Sequence, residues 1–503
     1  MSPPSYVIML MAALAVFVLV FRDAAAEGFA PALQKRVYAT WWTPFLIPRP
    51  STFIPNRGWV KVGEEDLSFD NIQSLGVVGR GRTPVVLDGE LLDYRVPKMR
   101  QNIIAQVRGA GVTVMIADCT NSFWGSEITR LRKIMDPAIA EMRAAGIKFA
   151  VAVGYHGVVP ALGSDDKPAK NGGQDTGRMD VDAAEALLDA FPNDWFTYLG
   201  KPVVVLYASK SNFDLMSKMS TRFTFVNGAG SDGCPGGMGE RGVWGWQLGS
   251  KCGTAPSSEV VFVSPSLKVF RDNMTAERYN AKYGTTHATW KGTKVIKGHD
   301  KYRSAAWLDF NFSVAAMSAP KIVVVGAIDD LAERTGWGLF DTASVEPGLR
   351  TYDTTGAVTI NGLYDRVKAW TSTGAAPPPV GGKGVVPEGF YSIQNKSGEM
   401  LWIAGNDLRD APPEGNPASW STQVVKGLSG VFALYHVGDN QYRIVAVNGL
   451  ALTKTADKSL IQNLHTTGPE QRFAVSLAAG GLVNIKGLGS AMKLVPFFPA
   501  VSS

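Results

Sequence analysis

From Val37 to about Ile328, short apolar runs rich in β-branched residues alternate with longer stretches of helical spacing. The runs are Val37–Trp41, Val112–Ala117, Phe149–Gly154, Pro202–Ala208, Phe223–Val226, Val243–Gln247, Val260–Val263 and Ile322–Ala327. Each is apolar at successive positions, which predicts strands buried on both faces. Between several of them lie Val96–Gly109, Glu127–Ala145, Val181–Ala190 and Tyr302–Ala316, where apolar residues recur at helical spacing. Gly111 and Gly146 follow two of these stretches and predict helix stops. Continuous apolar strands separated by helices predict an α/β fold with a helix-covered parallel sheet, and eight such strands fit a (β/α)8 TIM barrel over residues 30–372. A doubly wound open sheet is the alternative. Against it, no G-x-G-x-x-G follows the first strand: Gly76-x-x-Gly79-x-Gly81 has the wrong spacing and opens no helix.

The pattern changes at both ends. Val7 to Val20 is an unbroken apolar run, too short to span a bilayer comfortably, and Ala24, Ala25 and Ala26 follow it. That predicts a secretory signal peptide, residues 1–26, and a secreted, extracellular protein; a signal anchor is the alternative, since no Lys or Arg precedes the run. No later stretch is long and apolar enough for a membrane span, so no integral membrane association is expected after cleavage. Residues 373–386 contain the Pro/Gly-rich stretch Gly374–Gly384 and predict a linker. Residues 387–503 then read as short strands and turns, a small all-β module.

This tail carries a weak internal repeat. Tyr391-Ser-Ile393 followed by Leu401 matches Tyr442-Arg-Ile444 followed by Leu452, and Val483-Asn-Ile485 followed by Leu494 is a looser third copy. Phe432-Ala-Leu and Phe473-Ala-Val recur 41 residues apart, and the third copy has no room for its own Phe. Gln471-Arg-Phe473 resembles the Gln-x-Trp signature of ricin-B-type β-trefoil lectins, with Phe for Trp. The resemblance implies a β-trefoil-like carbohydrate-binding module, truncated in its third copy; a plain β-sandwich is the alternative.

Composition narrows the function. Hydrophobic residues make up 45% of the chain and charged residues 19%, enough for a sizeable core and too apolar for disorder. Net charge is only +6 over 503 residues with no basic block, so no nucleic-acid partner is expected. Three Cys and five His leave little for a metal site, and no cofactor or metal motif appears. Cys234 and Cys252 flank a Gly-rich loop, and secretion makes a disulfide between them plausible; Cys119 ends an apolar run and reads as a buried free thiol. Asn273, Asn311 and Asn395 begin glycosylation sequons. An esterase or peptidase has no support, because neither G-x-S-x-G nor H-E-x-x-H is present.

In a barrel, chemistry gathers at the C-terminal ends of the strands. Those ends carry Trp41 and Trp42, Asp118, Tyr155, Tyr207, Asn227, Trp244 and Trp246, and finally Asp329, Asp330 and Glu333. Aromatic faces stack on sugar rings, and amides and carboxylates bind hydroxyls, so the set suits a carbohydrate. Each aromatic alone reads equally well as barrel packing. Clustered carboxylates push their pKa values apart, as glycosidic cleavage needs, though the same residues suit the acidic start of a helix.

Ala327-Ile-Asp-Asp-Leu-Ala-Glu-Arg-Thr335 with Val345-Glu-Pro347 resembles the Ser-Phe-Asn-Glu-Trp-x-Glu-Gly-Thr…Ile-Glu-Pro motif of family 99 and family 71 (β/α)8 glycoside hydrolases. Pro84–Asp88, Leu92-Asp-Tyr94, Ala110–Asp118, Gly200–Tyr207 and Val263-Ser-Pro265 are similar to other patches of those families. The resemblance implies hydrolysis of a polysaccharide or glycan. Asp330 falls on the first catalytic carboxylate and Glu333 on the second, with Asp118, Tyr207, Trp244 and Trp246 holding the chain. Two departures stand out. Leu331 replaces the motif Trp, and Arg334 replaces its Gly, setting a guanidinium beside the expected general acid. They favour the other reading, a catalytically inactive carbohydrate-binding protein on the same scaffold.

Overall fold

The computed structural model describes residues 36–44, 51–54, 58–61, 93–120, 126–154, 176–207, 210–228, 244, 259–274, 296–303, 305–318, 320–329, 336–339, 351–352, 358–359, 362–374, 384–403, 418–422, 430–447, 449–457, 459–463 and 468–497. Seven of the eight expected strands form one parallel sheet: β1 (Val37–Trp42), β2 (Val114–Asp118), β3 (Lys148–Val153), β4 (Lys201–Leu206), β5 (Thr224–Asn227), β6 (Val260–Val263) and β7 (Ile322–Val325). Their spatial order is β5-β4-β3-β2-β1-β7-β6, so the last of these seven strands in sequence pairs with the first. Of the eighth run, Val243–Gln247, only Trp244 is described; its N–H donates to Asn227 O at 2.9 Å, beside the free edge of β5.

The sheet is rolled. Tyr198, just before β4, donates its hydroxyl to Glu259, just before β6. Five strand spacings separate β4 from β6, which in a flat sheet is about 24 Å at ~4.8 Å per strand. Only a curled sheet brings the two together. The side chains sort accordingly. Ala39, Trp41, Val114, Ile116, Ala150, Ala152, Val203, Val205, Val226, Trp244, Val260, Phe262, Ile322 and Val324 pack as one interior cluster. The alternate residues Tyr38, Trp42, Met115, Phe149, Val204, Phe225, Val261 and Val323 pack outward on helices. Burial on both faces explains why these strands read as unbroken apolar runs.

Six helices are described: α1 (Pro97–Gly109), α2 (Ser126–Ala144), α3 (Thr176–Ala190), α4 (Lys210–Met216), α5 (Ala305–Ser318) and α6 (Gly362–Thr373). The predicted stops are true caps. Gly146 has φ +73°, its N–H reaches Arg143 O at 3.0 Å, and Ile147 N–H reaches Met142 O at 2.9 Å. That is the Schellman pattern, which needs a left-handed residue and therefore favours glycine. Among the described residues no helix is long and apolar enough to cross a membrane.

The tail is a second body. Its strands are β8 (Gly389–Gln394), β9 (Met400–Ile403), β10 (Ala418–Ser421), β11 (Phe432–Gly438), β12 (Gln441–Ala446), β13 (Ala451–Lys454), β14 (Leu460–Asn463), β15 (Phe473–Leu477), β16 (Val483–Ile485) and β17 (Gly489–Pro496). Six of them, β8-β17-β16-β15-β12-β11, pair in a ring that closes from β11 back to β8. Hairpins β9–β10 and β13–β14 branch from β8 and β12. The sequence repeat is therefore structural. Tyr391, Tyr442 and Val483 open the first strand of each copy, Phe432 and Phe473 open the last strand of copies one and two, and all five are core residues. Among the described residues copy three is β16 and β17, with β17 closing the ring.

Two expectations fall on these bodies. Cys119 is buried and free, as its place in an apolar run predicts. The Asn311 sequon is corrected: its amide is 1% exposed inside α5 and donates to Trp307 O at 2.8 Å, so it is closed to glycosylation.

Candidate active site

The C-terminal ends of β1 and β7 meet, and Asp329 and its partners are assembled there. After β7 the chain continues along β1: Ile328 N–H donates to Trp41 O at 2.9 Å. This turns Asp329 back over the end of β1, where its carboxylate accepts Thr43 N–H at 2.9 and 3.2 Å and the Tyr94 hydroxyl. Asp329 is fully buried. Burial pushes its pKa up to about 6, against the pull of the Tyr94 and Thr43 donors. Burial, then the facing carboxylate, raises the Tyr94 hydroxyl well above its ordinary range. The pair is thus a fixed acceptor and donor, and its first effect is to hold the strand ends together.

Tyr94 is held in turn. Arg100 on α1 donates to Tyr94 O at 2.8 Å and pairs with Glu141 on α2 at 2.9 and 3.0 Å. The Tyr94 ring packs edge-on against Trp42 with centroids 5.3 Å apart. The described chain leaves at Asp329 and returns at Gly336. Its two ends are clipped together, Gly338 N–H to Ile328 O at 2.8 Å. Trp337 is fully buried, and its indole N–H bonds Gly326 O at 2.8 Å and Thr40 Oγ1 at 3.1 Å. Gln106 Oε1 accepts Leu339 N–H at 2.8 Å. The result is a rigid collar of β1, β7 and α1 from which the segment 330–335 departs.

Asp330 and Glu333, the expected catalytic pair, lie outside the described residues, as do Tyr155, Trp246, Cys234 and Cys252. The described members of the set divide. Asp118 ends β2 and is buried; its Oδ1 accepts Thr120 N–H at 3.0 Å and Thr120 Oγ1–H at 2.7 Å. Tyr207 continues β4 with its N–H on Val153 O at 2.8 Å and stays half-buried. Asn227 ends β5 and is buried. Trp41 points into the rolled sheet, while its neighbour Trp42 faces the helices. Side chains alternate along a strand, so the two indoles serve different sides. Trp244 is fully buried and packs 6.0 and 6.1 Å from Phe196 and Tyr198, which feed the opposite, N-terminal end of β4. Its ring fills the interior.

Sequence reasoning missed Tyr94, Thr43, Arg100 and Trp337 as site builders. Tyr94 lies in the Leu92-Asp-Tyr94 patch, which gave it no site role, and Trp337 is a lone indole just past the carboxylates with no motif that marks it. Among the described residues no group of His, Cys, Asp and Glu could hold a metal ion.

No protein-family model matches the chain, and no curated protein matches it. Solved structures match parts of it at low scores. The GH99 endo-alpha-mannosidase from Bacteroides thetaiotaomicron is similar over 66% of this chain and 96% of that one, at 11% identity and TM-score 0.39. The designed three-fold symmetric protein ThreeFoil matches 22% of this chain and 92% of its own, at 16% identity and TM-score 0.17. The β-trefoil lectin of the Vibrio vulnificus hemolysin/cytolysin matches 22% of this chain and 96% of its own, at 14% identity and TM-score 0.17. At these scores the functional reading rests on the chain's own residues.

Proposed function

We propose that this protein is a secreted glycoside hydrolase that cleaves glycosidic bonds in a polysaccharide or glycan. Its catalytic body is a (β/α)8 barrel that the run Val243–Gln247 completes, and its tail is a β-trefoil-like carbohydrate-binding module. One observation carries the reading. The buried Asp329–Tyr94–Thr43 network and the Gly338–Ile328 clip make a stiff collar at the C-terminal end of a rolled parallel sheet. The sequence hangs two further carboxylates, Asp330 and Glu333, on that collar. A carboxylate pair must be held at a set separation to cleave a glycosidic bond, and a collar of this kind provides the mounting.

Glu333 protonates the leaving glycosidic oxygen. Asp330 acts as base or nucleophile toward the sugar. Asp118, Tyr207 and Trp246 line the path of the chain, and Asp329 positions the loop without touching substrate. The tail keeps the enzyme on its polymer. No metal or organic cofactor enters these steps.

The test is product release from a panel of α- and β-linked glucans, mannans and galactans, with Asp330→Asn and Glu333→Gln beside the parent. Cleavage of one polymer, abolished by both substitutions in folded protein, supports the hydrolase. Binding without cleavage, unchanged in both variants, supports the inactive carbohydrate-binding protein that Leu331 and Arg334 favour.

A further inference from the structure

The two copies of the tail repeat are not alike where they face outward. In β11, Phe432 and Leu434 point into the ring, and Ala433 and Tyr435 point out. The matching stretch of β15 is Phe473-Ala474-Val475-Ser476. Tyr435 is 5% exposed, whereas Ser476 at the same place is solvent-exposed. The position after the first strand's core Ile behaves in the same way. It is Val445 in copy two and 1% exposed, but Gln394 in copy one and Lys486 in copy three, neither of them buried. Apolar residues have replaced polar ones on one face only, that of β11 and β12. Phe432–His436 and Tyr442–Ala446 are accordingly buried at every position, a mark of cover on both sides.

That face lies on α5. Ala433, Tyr435, Val445 and Ala451 cluster with Ala306. Phe310 of α5 meets Phe390 at 5.2 Å and Phe497 at 5.8 Å, and stacks on Trp307 at 5.7 Å. The helix is buried nearly all round: from Ala305 to Ala316 every residue but Ser313 is buried, with Leu308, Phe312 and Ala315 on the sheet side. A helix buried all round is covered on both sides. At the centre sits Asp309, buried, ion-paired with Arg366 of α6, accepting Trp370 Nε1–H at 2.9 Å and the Tyr435 hydroxyl at 3.2 Å. Arg366 also lies over the Tyr435 ring, 5.5 Å from its centroid. The entry to the tail is clasped as well: Tyr442 OH accepts Val386 N–H at 2.8 Å and donates to Val386 O at 2.7 Å.

We propose that the tail is a permanently docked wall of the α/β body, the two folding and unfolding as one unit, rather than a module swinging on the 374–384 linker. The outward face of β11 and β12 is the docking surface, α5 is its partner, and Asp309 is the buried polar group that fixes their register. Neither the catalytic reading nor the sugar-binding reading is needed for this.

The full chain carrying a protease site within 374–384 is folded first and then cut. The two fragments are expected to co-elute in gel filtration at micromolar concentration, and to melt in one transition. Val445→Lys and Tyr435→Ser install residues that other copies of the same repeat carry at the equivalent positions, so the tail ring itself tolerates them. Each is expected to abolish co-elution and split the melt in two. Ser476→Lys, on the equivalent but undocked face, leaves both readouts unchanged. Separation of the cut parent, or continued co-elution of cut Val445→Lys and Tyr435→Ser, overturns the proposal.

Discussion

Asp329→Asn offers a direct test of the collar, because the wild-type carboxyl titrates inside it and an amide does not. The folded pKa is about 6 and the ordinary value 3.8, raised chiefly by burial. That is roughly two units at ~1.4 kcal/mol each, or about 3 kcal/mol. The sign follows from proton counting. Between pH 4 and pH 6 the folded state holds the proton and the unfolded state has lost it, so stability falls as pH rises through this window. Below it the neutral acid contributes fully; above it the buried charge is at its full cost. Asparagine keeps the shape and an oxygen for Thr43 N–H, and has no proton to lose. Urea unfolding followed by tryptophan fluorescence, from pH 4 to pH 7, gives the stability of each protein. All other titrating groups are common to both and cancel in the difference. Wild type should lose about 3 kcal/mol relative to Asp329→Asn across the range. A constant difference, or a wild type that gains on the variant as pH rises, refutes the reasoning. It would mean that the Thr43 and Tyr94 donors outweigh burial and that the group stays ionised and stabilising.

Trp337→Phe removes the indole N–H that bonds Gly326 O and Thr40 Oγ1 and leaves those acceptors buried; we expect a loss of roughly 1–3 kcal/mol in chemical denaturation, and a proteolysis rate in 330–335 that rises with it. Gln471→Ala deletes the side chain that accepts Arg443 NH1 at 2.8 Å and donates to Thr453 at 3.0 Å, so the tail should lose a similar ~1–3 kcal/mol without losing its fold. Cys119 is buried, with its thiol pushed well above the ordinary range by burial and then by Asp118 and Asp180. Cys119→Ser should therefore leave the count of fast-reacting thiols in the native protein unchanged and lower the count by one in denaturant.

Much of the α/β body was legible because its strands satisfy one rule at every position. Burial on both faces demands an apolar residue at each step, and Val114–Ala117, Phe149–Val153 and Ile322–Val325 comply. The tail is half legible: its repeat survives because Tyr391, Tyr442, Phe432 and Phe473 fill equivalent places in one core. The collar was not legible. Asp329 reads from sequence as one more carboxylate in a cluster, whereas its role comes from Thr43 and Tyr94, which are 286 and 235 residues away. Contacts that distant leave no periodic trace, and a single hydrogen bond imposes no pattern on its neighbours.

The docking face marks the boundary between those two cases. Its signal was a partial excess: α5 is mostly apolar, and Tyr435 and Val445 stand on β11 and β12 where Ser476 and Lys486 stand in the other copies. Taken singly, an apolar helix reads as deep core and an apolar strand as a parallel one. Only their pairing says that each covers the other. An exposed tail would have to leave Ala433, Tyr435, Val445 and Phe390 in water beside Phe310, and at about 25 cal/mol per Å2 of apolar surface that exposure is strongly disfavoured. Two incomplete patterns in one chain are therefore a single statement about an interface, and the polar residues at Gln394, Ser476 and Lys486, none of them buried, show what the same ring carries elsewhere.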